Sequence, residues 1–164
     1  MTFQGSPLTL MGQELKAGDA APDFTVLGND LAEVKLSDFA PKVRILSVVP
    51  SLDTPVCDAQ TRRFNAEAAA LGDDVAILTI SMDLPFAQKR WCAAAGIEAV
   101  KTLSDHREAA FGSAYGVLIK ELRLLARAIF VVDRGGIIRH KEVVPEITSE
   151  VDYGAALAAA KALL

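Results

Sequence analysis

Cysteine and histidine are scarce in this chain: two of each in 164 residues, beside a single tryptophan. Two thiols allow one intramolecular bridge and no disulfide framework. A structural zinc ion usually needs four ligands, and no histidine lies near Cys57 or Cys92 in sequence, which argues against such a site. Positive charge is also in deficit, with a formal net charge of −4; nucleic acid and anionic membrane are therefore poor candidates for the main partner. The chain opens Met1-Thr2-Phe3-Gln4-Gly5-Ser6-Pro7, without a basic segment or a long apolar run. We read neither signal peptide nor transmembrane helix there and expect a cytoplasmic protein. In that compartment a disulfide is rare and, where present, transient and catalytic. Repeats, low-complexity tracts and linker compositions are missing too, so a single domain over residues 1–164 is expected.

What is present is organised around Pro50-Ser51-Leu52-Asp53-Thr54-Pro55-Val56-Cys57. The apolar run Val43–Val49 stops at Pro50 and reads as a central parallel strand. Asp53 and Thr54 are N-cap types, Pro55 suits a first helical position, and Cys57 falls in the first turn. A sulfur there lies among unpaired backbone N–H groups at the positive end of the helix dipole, which favours the thiolate, the nucleophilic form. The helix should run to about Leu71 and end at Gly72, with Phe64, Ala68 and Leu71 inward and Arg62, Arg63 and Glu67 solvated.

Ahead of this stretch, residues 1–12 read as a hairpin: Thr2–Gln4, a turn at Gly5-Ser6-Pro7, then Leu8–Leu10. It serves either as a sheet edge or as a lid. Short strands are expected at Phe24–Leu27 and Val34–Leu36, and a short helix or turn at Ser37–Phe39. Beyond the Cys57 helix, Val75–Ile80 is a buried strand. A helix starting at Asp83-Leu84-Pro85 carries Trp91 and Cys92 to Gly96. Its expected inward stripe is Leu84, Trp91 and Ala95, with Cys92 at the margin. A strand at Val100–Leu103, a short helix at Arg107–Phe111 and a strand at Leu124–Val132 follow. Arg134-Gly135-Gly136 then turns the chain into Ile137–Val144 as a hairpin, and Thr148 or Ser149 caps a terminal helix. The order β-α-β-α-β-α-β-β-α requires right-handed crossovers and an antiparallel edge. That is an α/β mixed sheet with helices on both faces, the thioredoxin-like arrangement. Sites in such sheets gather beyond the carboxyl ends of strands, where Pro50–Cys57 lies.

Thr54, three residues before Cys57, is placed to reach the sulfur while also capping the helix. Arg127 stands in an apolar segment, where a guanidinium is costly unless paired. It either pairs with a carboxylate at a sheet edge or stands beside the thiolate and binds a polar oxygen. Cys92 does not form a Cys-x-x-Cys dithiol with Cys57, so a thioredoxin-type exchange motif is absent. Cys57 and Arg63 match the Cys-x5-Arg spacing of cysteine phosphatases. The intervening Asp58-Ala59-Gln60-Thr61-Arg62 lacks the glycine of a phosphate-cradling loop and begins with a carboxylate. His106 and His140 read as surface or capping residues.

These residues carry a family likeness. Pro50-x-x-x-Thr54-x-x-Cys57 resembles the peroxiredoxin active-site pattern. Asp53–Cys57 with Arg63-Phe64-Asn65 is similar to the thiol peroxidase (Tpx) subfamily, the atypical 2-Cys peroxiredoxins. So are Ser81-x-Asp83-Leu84-Pro85-Phe86-Ala87-Gln88 leading to Cys92, Ala114–Val117, Ala126-Arg127-Ala128 and the amino-terminal Phe3-Gln4-Gly5. The chain departs from the pattern at Leu118–Leu125, where the family often has a longer, Gly-containing loop. The resemblance implies a peroxidatic Cys57, a resolving Cys92, an activating pair Thr54 and Arg127, and Pro50 shielding the site. It also implies a homodimer reduced by thioredoxin, without metal or prosthetic group, acting on hydrogen peroxide and alkyl or lipid hydroperoxides. The same residues would serve a redox sensor or relay that hands its disulfide to a protein partner.

Overall fold

The computed structural model describes residues 1–164. In chain order its elements are β1 (Thr2–Phe3), β2 (Ser6–Pro7), β3 (Leu10–Met11), β4 (Thr25–Leu27), β5 (Glu33–Lys35), β6 (Val43–Val48), α1 (Pro55–Leu71), β7 (Val75–Ser81), α2 (Pro85–Ala95), β8 (Lys101–Ser104), α3 (Ala110–Ala114), β9 (Leu118–Ile119), β10 (Ala128–Val132), β11 (Ile138–Val143) and α4 (Tyr153–Lys161). The central sheet runs β11-β10-β6-β7-β8-β4-β5. β6, β7 and β8 are parallel, β10 and β11 extend one side antiparallel, and β4 and β5 the other. This is the thioredoxin-like mixed sheet expected from the element order, with the amino-terminal hairpin β1–β2 outside it.

Every residue of β6 is buried, because helices cover both faces and side chains alternate between them. Val43, Ile45, Ile77, Ile129 and Val131 meet Phe64 and Leu71 of α1 and Ala156, Leu157 and Ala160 of α4. Leu46, Val48, Leu78, Ile80, Phe130 and Val132 point the other way, into an aromatic layer of Phe24, Phe111 and Tyr115. Each such fully buried Val, Leu, Ile or Phe stabilises by about 1.5–3 kcal/mol. The sheet is therefore a rigid floor under the loop that leaves the end of β6.

Five local expectations are corrected. The amino-terminal hairpin turns at Gln4-Gly5 rather than Gly5-Ser6-Pro7, because both take positive φ (49° and 81°) and close a two-residue turn. Leu10–Met11 then leaves the hairpin and pairs with β9. Close approach of this arm to the core requires glycine: a Cβ on Gly12 would lie 2.1 Å from the Ser113 carbonyl oxygen. The short helix begins at Ala110 rather than Arg107, since the buried Asp105 carboxylate accepts the N–H groups of Phe111 and Gly112 and sets the start there. β10 begins at Ala128, opposite Val48, because β6 offers no partner beyond that point. Residues 117–126 instead fold back on themselves through Ile119 N–H to Leu124 O and Ala126 N–H to Val117 O.

The terminal helix is capped by Asp152, whose side chain accepts the Ala155 N–H at 2.9 Å, and not by Thr148 or Ser149. The Thr148 hydroxyl donates to Glu146 instead. Leu84 is 51% exposed rather than inward, because Pro85 opens α2 and leaves Leu84 outside the helix as an extended cap. Pro85 and Gln88 take the buried positions. The chain's longest helix is α1, and no helix is long and apolar enough to cross a membrane.

Candidate active site

The loop from Val49 to Thr54 joins β6 to α1 at the carboxyl end of the central strand. Asp83, just before α2, fixes its path by accepting from the Ser51 hydroxyl at 2.7 Å and the Leu52 N–H at 2.8 Å. Thr54 has the extended backbone of an N-cap but makes no side-chain cap bond. Its Oγ1 lies 2.6 Å from Cys57 Sγ and 3.0 Å from the Ser51 carbonyl oxygen. A hydroxyl has one hydrogen and two lone pairs, so the arrangement serves both forms of the sulfur. A Cys57 thiol donates to Thr54 Oγ1 while the hydroxyl donates to Ser51; a thiolate receives the hydroxyl hydrogen itself.

Arg127 reaches the same sulfur from just before β10, its Nη2 at 3.3 Å from Sγ. The guanidinium is 2% exposed, and its other bonds run from Nε to the Ile147 carbonyl and from Nη1 to Gln60 Oε1, both at 2.9 Å. Gln60 is held in turn by donating from Nε2 to Ser47 Oγ. The sheet-edge ion pair considered for Arg127 does not form: its partners are a carbonyl, an amide and the sulfur. A buried cation with neutral oxygens on two sides leaves its remaining edge suited to a negatively charged group.

Cys57 itself is completely buried. Beside it opens a cavity of about 310 Å³ lined by Phe3, Pro50, Thr54, Pro55, Val56, Leu122, Leu124, Arg127, Ile147 and Thr148. Thr54 and Arg127, the two side chains at the sulfur, thus border an otherwise mostly apolar pocket, and buried Pro50 forms one wall. The amino-terminal hairpin contributes Phe3, so it is neither an edge of the central sheet nor remote from the site. It hangs on Glu146, which accepts from the Thr2 hydroxyl and from the N–H groups of Gln4 and Gly5. These bonds, the Thr2 hydroxyl first, bring the Glu146 carboxyl down to about 2.

Cys92 is not part of this cluster. It is half-buried, unbridged, and 3.3 Å from Thr102 Oγ1 on β8. The Thr102 hydroxyl donates to Asn29, which leaves Cys92 as the donor to Thr102. It borders a separate cleft of about 420 Å³ that also includes Asn29, Asp30 and Lys101. Arg63 is 56% exposed and paired with Glu67 on a continuous helix, so the phosphatase-like spacing builds no phosphate cradle. Gln60 escaped the sequence reading; its position one helical turn after Cys57 was the available signal. The Ile147 carbonyl had none, being a backbone atom brought in by the chain's return.

The redoxin family pattern matches residues 16–157. Over 164 residues the chain is 62% identical to a thiol peroxidase of Halalkalibacterium halodurans and 61% identical to one of Bacillus subtilis. In both cases all of this chain and 98% of the relative are covered. The chain belongs to the thiol peroxidase family. The crystal structure of a peroxiredoxin-like protein from Aquifex aeolicus superposes with a TM-score of 0.93 at 42% identity, covering 99% of this chain and 95% of that one. In this chain Leu122 and Leu124 of the Leu118–Leu125 segment form part of the pocket wall.

Proposed function

We propose that this protein is a thioredoxin-dependent thiol peroxidase in which Cys57 is oxidised by a hydroperoxide and Cys92 resolves the product. The convergence of Thr54 Oγ1 and Arg127 Nη2 on a buried Cys57 sulfur beside an apolar pocket carries this reading. The Cys57 thiolate attacks one oxygen of R–O–O–H. The O–O electron pair leaves with the distal oxygen, which takes a proton to become R–OH. Arg127 and Thr54 are positioned to hold the two oxygens and to stabilise the charge that develops as their bond stretches, the charged Arg127 contributing about 2.7–4 kcal/mol as a preorganised donor and the neutral Thr54 hydroxyl about 1.4 kcal/mol. The unpaired N–H groups of the first turn of α1 add to that field. Pro50 keeps bulk water from the sulfur.

The oxidised product, Cys57–SOH, condenses with the Cys92 thiol to give a disulfide and water. Thioredoxin then resets both thiols by exchange. Since the two sulfurs have separate partners in the folded protein, this step requires local unfolding around them. We place the protein in the cytoplasm as a homodimer, without metal or prosthetic group. Peroxide consumption coupled to a thioredoxin system tests the proposal: sustained turnover is expected, and it should vanish in Cys57→Ser. Turnover that survives this substitution removes Cys57 from the mechanism. Oxidation that stops at one equivalent per chain, with a trapped mixed disulfide, instead makes the protein a relay.

A further inference from the structure

The residue before Cys92 is the chain's single tryptophan, and it fastens α2 to α1. Trp91 donates its indole N–H to Asp58 Oδ1 at 3.0 Å. Asp58, next to Cys57 in sequence, accepts from Arg62 Nε on its other oxygen at 2.8 Å. The Arg62 guanidinium closes the triangle 5.7 Å above the Trp91 ring. On its inner side the ring packs against the cluster of Val49, Leu52 and Cys57. Successive residues of a helix point roughly 100° apart. α2 therefore turns Trp91 towards Cys57 and Cys92 towards Thr102. A disulfide needs Cα atoms within roughly 7 Å and converging Cβ vectors. Cys92 has to take the side of α2 that Trp91 now presents.

We propose that Trp91, Asp58 and Arg62 form a latch that keeps α2 in the peroxide-reactive arrangement, and that its release governs how fast Cys92 captures the oxidised Cys57. The inference rests on the peroxidase reading above and assigns positioning roles to residues outside the chemistry. While the latch is closed, Cys57–SOH meets only another hydroperoxide: Cys57–SOH and R–O–O–H give Cys57–SO2H and R–OH. When it opens, Cys57–SOH and the Cys92 thiol give the disulfide and water. The latch thus divides one intermediate between a dead end and a recyclable product. It is built to yield. Its ion pair is half exposed at Arg62 and one-third exposed at Asp58, and such pairs hold weakly. The helix it restrains spans 11 residues, a length at which an isolated helix is marginal.

The test uses the full-length protein, mixed with hydrogen peroxide and quenched at intervals for intact-mass analysis of sulfenic, sulfinic and disulfide forms. Trp91→Phe and Asp58→Ala are each expected to speed disulfide formation by roughly tenfold, the effect of losing one hydrogen bond to a charged group. Each should raise, by the same factor, the peroxide concentration at which half the chains become sulfinic. Asp58→Asn keeps an acceptor for the indole and should fall nearer the unaltered protein. Asp58→Ala lies on the partly exposed side of α1 and keeps the test open if Trp91→Phe does not fold.

Trp91 fluorescence supplies an independent readout. It should change in a phase that keeps pace with disulfide formation, and Cys92→Ser should lack that phase. Equal disulfide rates and equal sulfinic yields in all variants would overturn the latch while leaving the peroxidase intact. Failure of peroxide to add oxygen to Cys57 in the unaltered protein would overturn the peroxidase reading itself.

Discussion

The two thiols of this chain occupy contrasting surroundings. Cys57 is sealed in, with Thr54 and Arg127 on its sulfur and a second layer of Gln60, Ser47 and the Ile147 carbonyl behind them. Cys92 is half-buried on an 11-residue helix, its sulfur touching one threonine at 3.3 Å. The first environment is over-determined and suits a step that gains from fixed dipoles. The second is lightly held and suits a step that requires movement. Chemistry that needs both is divided between a rigid element and a loose one.

The contrast is broken most sharply by Cys92→Ser. First oxidation by one equivalent of peroxide should proceed at the normal rate in stopped-flow, whereas thioredoxin-coupled turnover should be lost. Unimpaired turnover in that variant would make the loosely held sulfur a bystander. Within the rigid environment the two donors should be unequal. Arg127→Gln is expected to slow the oxidation of Cys57 by about a hundredfold to a thousandfold, the range for losing a preorganised charge-stabilising donor. Thr54→Val, which removes a single neutral hydroxyl, should cost roughly tenfold. Equal losses would mean that the guanidinium acts only as a hydrogen-bond donor; thermal melts of both variants separate folding defects from catalytic ones.

The smallest effect concerns the hairpin that supplies Phe3 to the pocket. Glu146 holds it, and its carboxyl titrates at about 2 in the folded protein against an ordinary 4.5. A depressed carboxylate contributes stability that is complete above the ordinary value and is lost as pH falls from there through the folded value. Amide exchange of Gln4 and Gly5 should therefore accelerate, after correction for its intrinsic pH dependence, as pH falls from about 4.5 towards 2. Glu146→Gln should flatten that dependence. Amides in the middle of α1 serve as the reference and should not follow it.

Legibility in the sequence followed the range of the interactions. α1 was readable at both ends, because Pro55 and Gly72 act on their own backbone and need no distant partner. β6, β7 and the inward pair Phe64 and Leu71 were readable from apolar pattern. The two-residue strands β3 and β9 were not, since no periodicity exists over two residues and their pairing joins positions 10 and 119. Asp105 and Asp152 shifted the starts of two helices because a carboxylate in the right place outcompetes its neighbours as a cap. Leu84 pointed outward because the proline beside it set where the helix began.

The residues within the Pro50–Cys57 stretch therefore determined a great deal alone: a strand end, a helix start, and a hydroxyl one turn from a sulfur. Their physics is that of backbone sterics and hydrogen bonds over three or four positions. Tertiary structure decided that Arg127, 70 positions away, is held by Gln60 and a returning carbonyl against that sulfur, and that α2 turns Trp91 rather than Cys92 towards it. Those outcomes depend on sheet order, strand register and the rotation of one helix about its axis, which arise only when the entire core packs at once.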